Sequence, residues 1–441
     1  MIVPTPIFAD DSSIWSRPLE MIAALTTIAG TVIGGIVWLS RRYIRLVRER
    51  DRYQRDLRSA EQELKNLQNT HGPARDELEQ RLAGSKNEVE ELYEELAKTR
   101  EGAIRLQKIF DNLNRNLQIA RQMEGLIWRA KPSGTAPKFT PLSQRHVSIM
   151  AVLNLKGGVG KTTLSANLGA AFARMGWRVL VVDLDLQASL SSLFVTGEQL
   201  QQFSQSQRLV QDYFQQSVAG SNPSFADYVH ETQESGVELM GSSDTLAYAE
   251  LNLAVHWLLR PGKKDVRLLL RGALHDSTCA ERFDLVIIDC PPLLNVSCVN
   301  ALAAADFLLV PVMPSKGTTD RVRPMMGWLH SLRQNLNPDL KIIGVAANRT
   351  SRSTGLTDDE KTLWAALRDQ CHDSWGEKVH MCQAFIPQKV EVRDAENERR
   401  PLKPSDEIFT FFKKLATELA GRLPQSSRPA SLAVTAKGKS S

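Results

Sequence analysis

An apolar run, VSIMAVLN (147–154), leads almost directly into KGGVGKTT (156–163), and a stretch with helical apolar spacing follows to about Met175. A buried strand that breaks into glycines and then opens a helix has a restricted set of uses. Gly157, Gly158 and Gly160 let the backbone turn tightly around Val159, so that main-chain N–H groups and the helix N-terminus can wrap phosphate oxygens. Lys161 reaches the outer phosphates, the Thr162 hydroxyl is placed for Mg²⁺, and Thr163 completes the loop. Beyond it, WRVLVVD (177–183), VELM (237–240), FDLVIID (283–289), DFLLVPV (306–312), KIIGVAAN (341–348) and CQAFIP (382–387) alternate with helical stretches. Short apolar runs between helices predict an α/β fold with a mostly parallel sheet flanked by helices, here over residues 146–424.

The loop departs from the common G-x-x-x-x-G-K spacing. Leu155 stands where glycine is usual, and an additional lysine, Lys156, opens the loop. In this KGGVGKTT resembles the deviant phosphate loop of the ParA and MinD group of P-loop ATPases. The likeness continues in VVDLDLQASLSSLF (181–194), with Leu186 where the group usually has proline, and in IIDCPP (287–292) with the following ALAAAD (301–306). Residues 236–253 and 385–402 are similar more loosely. The resemblance implies ATP and Mg²⁺ as cofactors and an ATP-sandwich homodimer in which Lys156 reaches the phosphates of the partner subunit. It makes Lys156, Lys161 and Asp185 the catalytic set, with Asp185 orienting the attacking water. Thr162, Asp185 and Asp289 are then placed at the metal, Asp289 through a metal-bound water, and Asn348 and Pro387 on the adenine side. Asp183, at the end of the apolar run 177–183 and two residues before Asp185, reads as structural. Cys290, beside Asp289, reads as small buried packing.

The N-terminal third is of a different kind. Residues 21–40, MIAALTTIAGTVIGGIVWLS, carry no charge and as a helix rise about 30 Å, the thickness of a bilayer core. Arg41, Arg42, Arg45, Arg48 and Arg50 follow, whereas a signal peptide carries its positive charge before the apolar run. The reading is a single transmembrane helix, with residues 1–20 a short extracytoplasmic N-terminus and the rest cytoplasmic at a bacterial inner membrane. Gly30 and Gly34 form a G-x-x-x-G suited to close helix pairing.

From 41 to 130 the apolar residues fall on a heptad: Leu46, Tyr53, Leu57, Ala60, Leu64 and Leu67, then, after His71-Gly72-Pro73, Leu78, Leu82, Ser85, Val89, Leu92, Leu96, Thr99, Ala103, Leu106, Phe110, Leu113, Leu117 and Ala120. Such a seam needs a facing helix. A parallel dimer is the expected supplier, and a hairpin at Gly72-Pro73 is the alternative. Residues 131–145, with three prolines, read as a flexible linker, and 425–441 as a disordered tail.

A net charge of +5 over 441 residues does not demand nucleic acid, although Arg349, Arg352, Arg393, Arg399 and Arg400 offer a basic face if they converge. Five cysteines without a C-x-x-C pair argue against a disulfide framework or zinc site. The expected function is a membrane-anchored ATPase whose Mg-ATP dimer recruits, positions or releases an unidentified protein partner, with DNA a further candidate. One alternative is an ATP-binding scaffold with little turnover. Another is a tyrosine kinase of the polysaccharide-export type, disfavoured because Tyr248 is the last tyrosine.

Overall fold

The computed structural model describes residues 18–66, 72–122, 127–132, 136–259 and 264–429. Side chains are described there except at 18–37, 73–74, 109–110, 112–122, 127, 258–259, 316, 318 and 320. The chain divides into two compact units, Met1–Ile127 with Leu258–Arg260, and Trp128–Trp257 with Pro261–Ser441.

The first unit is built on two long helices, Pro18–Asn66 and Pro73–Gln122. Pro73 opens the second helix, where its missing N–H costs nothing. The helices run antiparallel. Arg42 pairs with Glu95, Gln54 Nε2 donates to the Tyr93 hydroxyl at 2.8 Å, and Gly102 lets Leu39 approach to 3.6 Å of where a Cβ would sit. Leu46, Leu78, Leu96 and Thr99 are buried, and the other described seam positions are half-buried. The seam is therefore faced by the chain's own second arm, and the parallel dimer expected for it is replaced by the hairpin. Closing one short turn costs less entropy than recruiting a second chain, and arms of 49 and 50 residues match along their length. Among the described residues no helix is long and apolar enough to cross a membrane. Of the proposed span 21–40, the side chains of 21–37 lie outside those described, as do residues 1–17 of the proposed extracytoplasmic segment.

The second unit is an eight-stranded sheet. Its strands are β1 (Ser148–Val152), β2 (Val179–Asp183), β3 (His230–Glu231), β4 (Val237–Met240), β5 (Leu285–Asp289), β6 (Phe307–Val312), β7 (Lys341–Thr350) and β8 (Met381–Pro387), in the order β3-β4-β2-β5-β1-β6-β7-β8. All neighbours are parallel except β3 with β4. Every residue of β1, β2, β5 and β6 is buried, as strands covered on both faces must be. On one face, Met150, Val181, Leu239, Ile287 and Leu309 pack with Leu168 and Phe172 of helix Lys161–Arg174 and with Phe412, Leu415 and Leu419 of helix Phe409–Arg422. Seven of the eight strands coincide with the apolar runs; two-residue β3 has no period to find.

Two borders differ from expectation. Residues 136–145, expected to be linker, are strapped onto the sheet. Arg145 is buried and pairs with Asp306, donating also to Thr140 O at 2.7 Å and Val147 O at 2.9 Å. Phe139 lies edge-on to His275, and the guanidinium groups of Arg145 and Arg271 stand 5.5 and 5.4 Å from its ring centroid. The Thr140 N–H donates to His275 Nδ1 at 3.0 Å, and burial holds that imidazole's pKa down at about 3, so it is neutral. Prolines here restrict the strap rather than loosen it. At the other end, residues 425–429 are ordered and not tail: Ser427 is buried, with the Ser148 hydroxyl donating to its Oγ at 2.8 Å. Residues 430–441 lie outside those described.

Candidate functional site

The C-terminal ends of β1, β2 and β5 lie side by side, and their neighbouring loops form the cleft. Parallel strands end where their helices begin, so polar groups collect at this rim. After β1 the loop turns through Gly158 at φ +75° and Gly160 at φ +81°, left-handed values that suit glycine. Nothing lies within 4 Å of a Cβ built on Gly157 or Gly158, so the backbone there faces open space. No side chain caps the N-terminus of helix Lys161–Arg174. Its first-turn N–H groups are thus available to an anion, which the helix dipole also favours.

The cleft measures about 380 Å³ and is lined by Gly157, Gly158, Gly160, Lys161, Thr162 and Thr163 of the loop, together with Asp185, Ser189, Ser192, Leu193, Pro292, Arg349 and Glu396. Lys161 is buried, and burial pulls its pKa down against the opposing pull of Asp289. Asp289 ends β5 in register with Asp183 on β2. Burial, and then the neighbouring Asp183, push the Asp289 pKa up to about 7, while Thr162 and Ser165 favour the carboxylate. Ser165 Oγ donates to Asp289 Oδ1 at 3.0 Å, but Oδ2 is fully enclosed and accepts no hydrogen bond. An enclosed carboxylate oxygen without a donor, beside a threonine hydroxyl and a lysine, suits a hydrated divalent cation.

Asp183 is structural, because β2 ends there and the chain turns away before Asp185. It accepts from the Asp185 N–H at 3.0 Å, the Ser191 N–H at 2.8 Å and the Ser191 hydroxyl at 2.7 Å, so it ties together both ends of the 185–191 turn. Burial pushes its pKa up to about 6. Asp185, half-buried, faces the cleft and accepts from the Gln187 N–H at 3.0 Å. Lys156 lies outside the lining, with Nζ 3.2 Å from the Gly317 carbonyl oxygen.

Several placements depart from the sequence reading. Asn348, an adenine candidate, uses its amide inside the chain: Nδ2 donates to Val159 O at 2.7 Å and Oδ1 accepts from the Arg349 N–H at 3.1 Å. It buttresses the phosphate loop from behind. Pro387 is buried at the end of β8, paired with Thr350, and does not line the cleft. Thr163 donates its hydroxyl to Glu396, a cleft residue that sequence reasoning passed over. Arg349, set aside for a basic face, lines the cleft with its backbone at φ +55°. Cys290 is buried with its thiol pushed well up, as expected of packing. His380, Cys382 and Glu418 do converge, but Glu418 already accepts from the Gln383 and Ala384 N–H groups and His380 Nε2, and burial pushes the Cys382 thiol up to about 12. That carboxylate acts as a cap on the β8 backbone.

A parallel doubly wound sheet with a glycine-rich loop at its rim, a buried loop lysine and a strand-end aspartate beside a loop threonine defines a P-loop nucleotide-binding protein. Residues 147–342 match the family profile described as an AAA domain. The chain is 31% identical over 261 residues to the chromosome partitioning protein ParA of Caulobacter vibrioides, covering 59% of this chain and 88% of that one. It is 30% identical over 280 residues to the chromosome-partitioning ATPase Soj of Thermus thermophilus, covering 63% and 96%. It shares its fold with apo McdA of Cyanothece, with a TM-score of 0.52, 22% identity, and 63% and 100% of the two chains covered. The chain belongs to the ParA/MinD-type P-loop ATPase family.

The raised pKa of Asp289 has a measurable consequence. A carboxyl titrating at about 7 in the folded protein is mostly ionised above that pH and protonated below it. Were Asp289 to hold a hydrated Mg²⁺, a proton would compete with it, and the gain in nucleotide affinity on adding Mg²⁺ should fall by up to about tenfold per pH unit below 7 and level off above it. The Asp289→Asn variant supplies the slope due to the nucleotide's own titration. Identical slopes for the two proteins between pH 5.5 and 8 would show that Asp289 is not the titrating group.

Proposed function

We propose that the chain is a Mg²⁺-dependent ATPase whose ATP-bound form dimerises face to face and so recruits, positions or releases a protein partner. The observation that carries this reading is the enclosed, donorless Oδ2 of Asp289 beside Lys161 and Thr162, at the uncapped start of a helix. When bound, Mg²⁺ would neutralise phosphate charge and the nucleotide would supply the scissile phosphoanhydride. The chain's own groups do the rest. Lys161 and the loop N–H groups hold the phosphates, and Thr162 and Asp289 fix the hydrated cation. Asp185 orients water, and Asp183 keeps Asp185 in place through the turn it ties. Lys156, standing outside the lining of its own cleft, is suited to reach the phosphates of a second copy.

The remainder of the proposal concerns place. The uncharged stretch 21–40 followed by five arginines supports a single-pass anchor in a bacterial inner membrane, with the ATPase unit in the cytoplasm. Anchoring would raise the local concentration of the units and favour their pairing. A fixed assembly suits such an anchor better than free diffusion over DNA. ParA and Soj are named for chromosome partitioning, which keeps a DNA partner under test here.

Two substitutions separate the steps. Asp185→Ala is expected to bind ATP normally, hydrolyse it at least about 100-fold more slowly and accumulate as an ATP-dependent dimer. Lys156→Ala should bind ATP within about threefold of the parent and fail to dimerise. Sizing chromatography and a nucleotide-binding assay on full-length protein in nanodiscs measure both, and equal behaviour of the two variants would rule out a cross-subunit role for Lys156. A scaffold with little turnover is the second reading. It is favoured by Leu186, which replaces the proline usual beside Asp185, and a parent rate no faster than that of Asp185→Ala would establish it.

A further inference from the structure

Asp289 is followed by a short loop, 290–295, that supplies Pro292 to the cleft and ends at Asn295, the N-cap of helix Val296–Ala304. Asn295 accepts from the Cys298 N–H at 2.9 Å and donates to Glu250 at 2.6 Å. Cys290 and Pro291 are buried at its start, and Leu293 at its tip is 45% exposed. The tip is held from elsewhere in the unit. The buried Trp128 donates its indole N–H to the Leu294 carbonyl at 3.2 Å.

Trp128 is itself held on three sides. Its ring centroid lies 5.4 Å from that of Trp257. Its carbonyl accepts from Arg267 Nη1 at 2.7 Å, and the same nitrogen donates to the Ala130 carbonyl. Arg267 is 1% exposed, gripped by both oxygens of Asp265 at 2.8 and 2.6 Å and stacked over Trp257 at 5.5 Å. Asn300, on the helix that the loop feeds, donates to Val266 O at 2.8 Å. A buried arginine spent on two backbone carbonyls fixes the path of residues 128–130, which is where the chain enters this unit from the preceding helical arm.

We propose that Trp128 is a positioning residue that couples occupancy of the nucleotide cleft to the segment joining the ATPase unit to the arm. Only one residue, Leu293, separates Trp128's acceptor, the Leu294 carbonyl, from Pro292 in the cleft wall. A ligand that settles Pro292 therefore settles Leu294, and through it the indole and residues 127–131. The coupling is reciprocal: what the latch contributes to ATP affinity, ATP returns to the latch. This inference rests on the reading of the cleft as an ATP site.

Hydrogen exchange of the full-length protein, with and without Mg-ATP, tests it alongside ATP affinity of Trp128→Phe and Arg267→Lys. Phenylalanine keeps the ring against Trp257 but removes the N–H; lysine keeps the charge but loses the fork that spans two carbonyls. Mg-ATP is expected to slow exchange at residues 127–131 by at least about fivefold, and each variant to bind ATP at least about fivefold more weakly. The nucleotide-free unfolding midpoint of Trp128→Phe should stay within a few degrees of the parent, which separates coupling from a folding defect. Protection of the 156–163 loop by ATP, absent in Lys161→Ala, is the control for the site itself. Without that protection the ATP reading falls, and this inference with it. With the loop protected, unchanged exchange at 127–131 or unchanged affinity in Trp128→Phe overturns the coupling alone.

Discussion

Lys161→Ala should weaken ATP binding by about 100-fold or more while leaving the free protein as stable as the parent. The ammonium is buried at the start of an uncapped helix, and burial already holds its pKa down. In the free protein it is a charge removed from water with Asp289 as its nearest opposite charge, so deleting it relieves a desolvation cost as well as removing an attraction. In the bound protein it supplies one or two charge-assisted hydrogen bonds to phosphate, each contributing about 1.5–3 kcal/mol, and every 1.4 kcal/mol is tenfold in affinity. Titration calorimetry with ATP and Mg²⁺ measures the loss, and thermal unfolding without nucleotide checks the fold. Affinity within threefold of the parent would remove the loop lysine from the site and with it the main support for nucleotide binding.

The second large effect is structural. Arg145→Ala is expected to destabilise the ATPase unit by about 3–5 kcal/mol, because Asp306 is left buried and charged without its partner. Asp306 also accepts from the Ile149 N–H at 2.9 Å, so the damage reaches the first turns of β1, the strand that carries the phosphate loop. Burial holds the Asp306 pKa up at about 6 even with Arg145 present. Losing the guanidinium raises it further. Because the folded pKa lies above the unfolded one, the cost of ionising Asp306 is absent below about 4 and complete above the folded pKa. The variant's deficit should therefore be smaller at pH 5 than at pH 8. Urea unfolding at the two pH values measures it, and a loss below about 1 kcal/mol at pH 8 would mean that the strap 136–145 is dispensable.

Much of the site was legible because its signals are local. The glycines, lysines and threonines of 156–163 lie in one contiguous segment, Asp289 ends an apolar run that announces a buried strand, and Asp185 follows two residues after the end of another. Strand alternation could not set Asp183 apart from Asp185, because residues two apart share a face; β2 ends at Asp183, whose three hydrogen bonds hold the turn that carries Asp185. Residues brought in from afar gave no such signal. Glu396 comes from helix Val390–Asn397 and Pro292 from the loop after β5; both lie in segments that resemble the ATPase group, yet neither side chain's own chemistry singles it out for the cleft. Arg349 looked like one more surface cation until β7 carried it to the rim. Asn348 stood at the right strand end for a ligand contact, yet its amide faces Val159.

Periodicity by itself determined the α/β pattern, the phosphate loop and the heptad seam, since helices and strands repeat over a few residues and loop chemistry is contiguous. Only the tertiary structure decided which surface each period meets. The seam on Pro18–Asn66 is satisfied by any helix of matching pattern, and the turn at Gly72-Pro73 supplied one from the same chain. The prolines of 131–145 fit a loose linker and a fastened strap equally well, until Arg145 found Asp306, 161 residues away. An apolar period states that a face must be covered, whereas its partner is set by chain closure and by where buried charges can be matched.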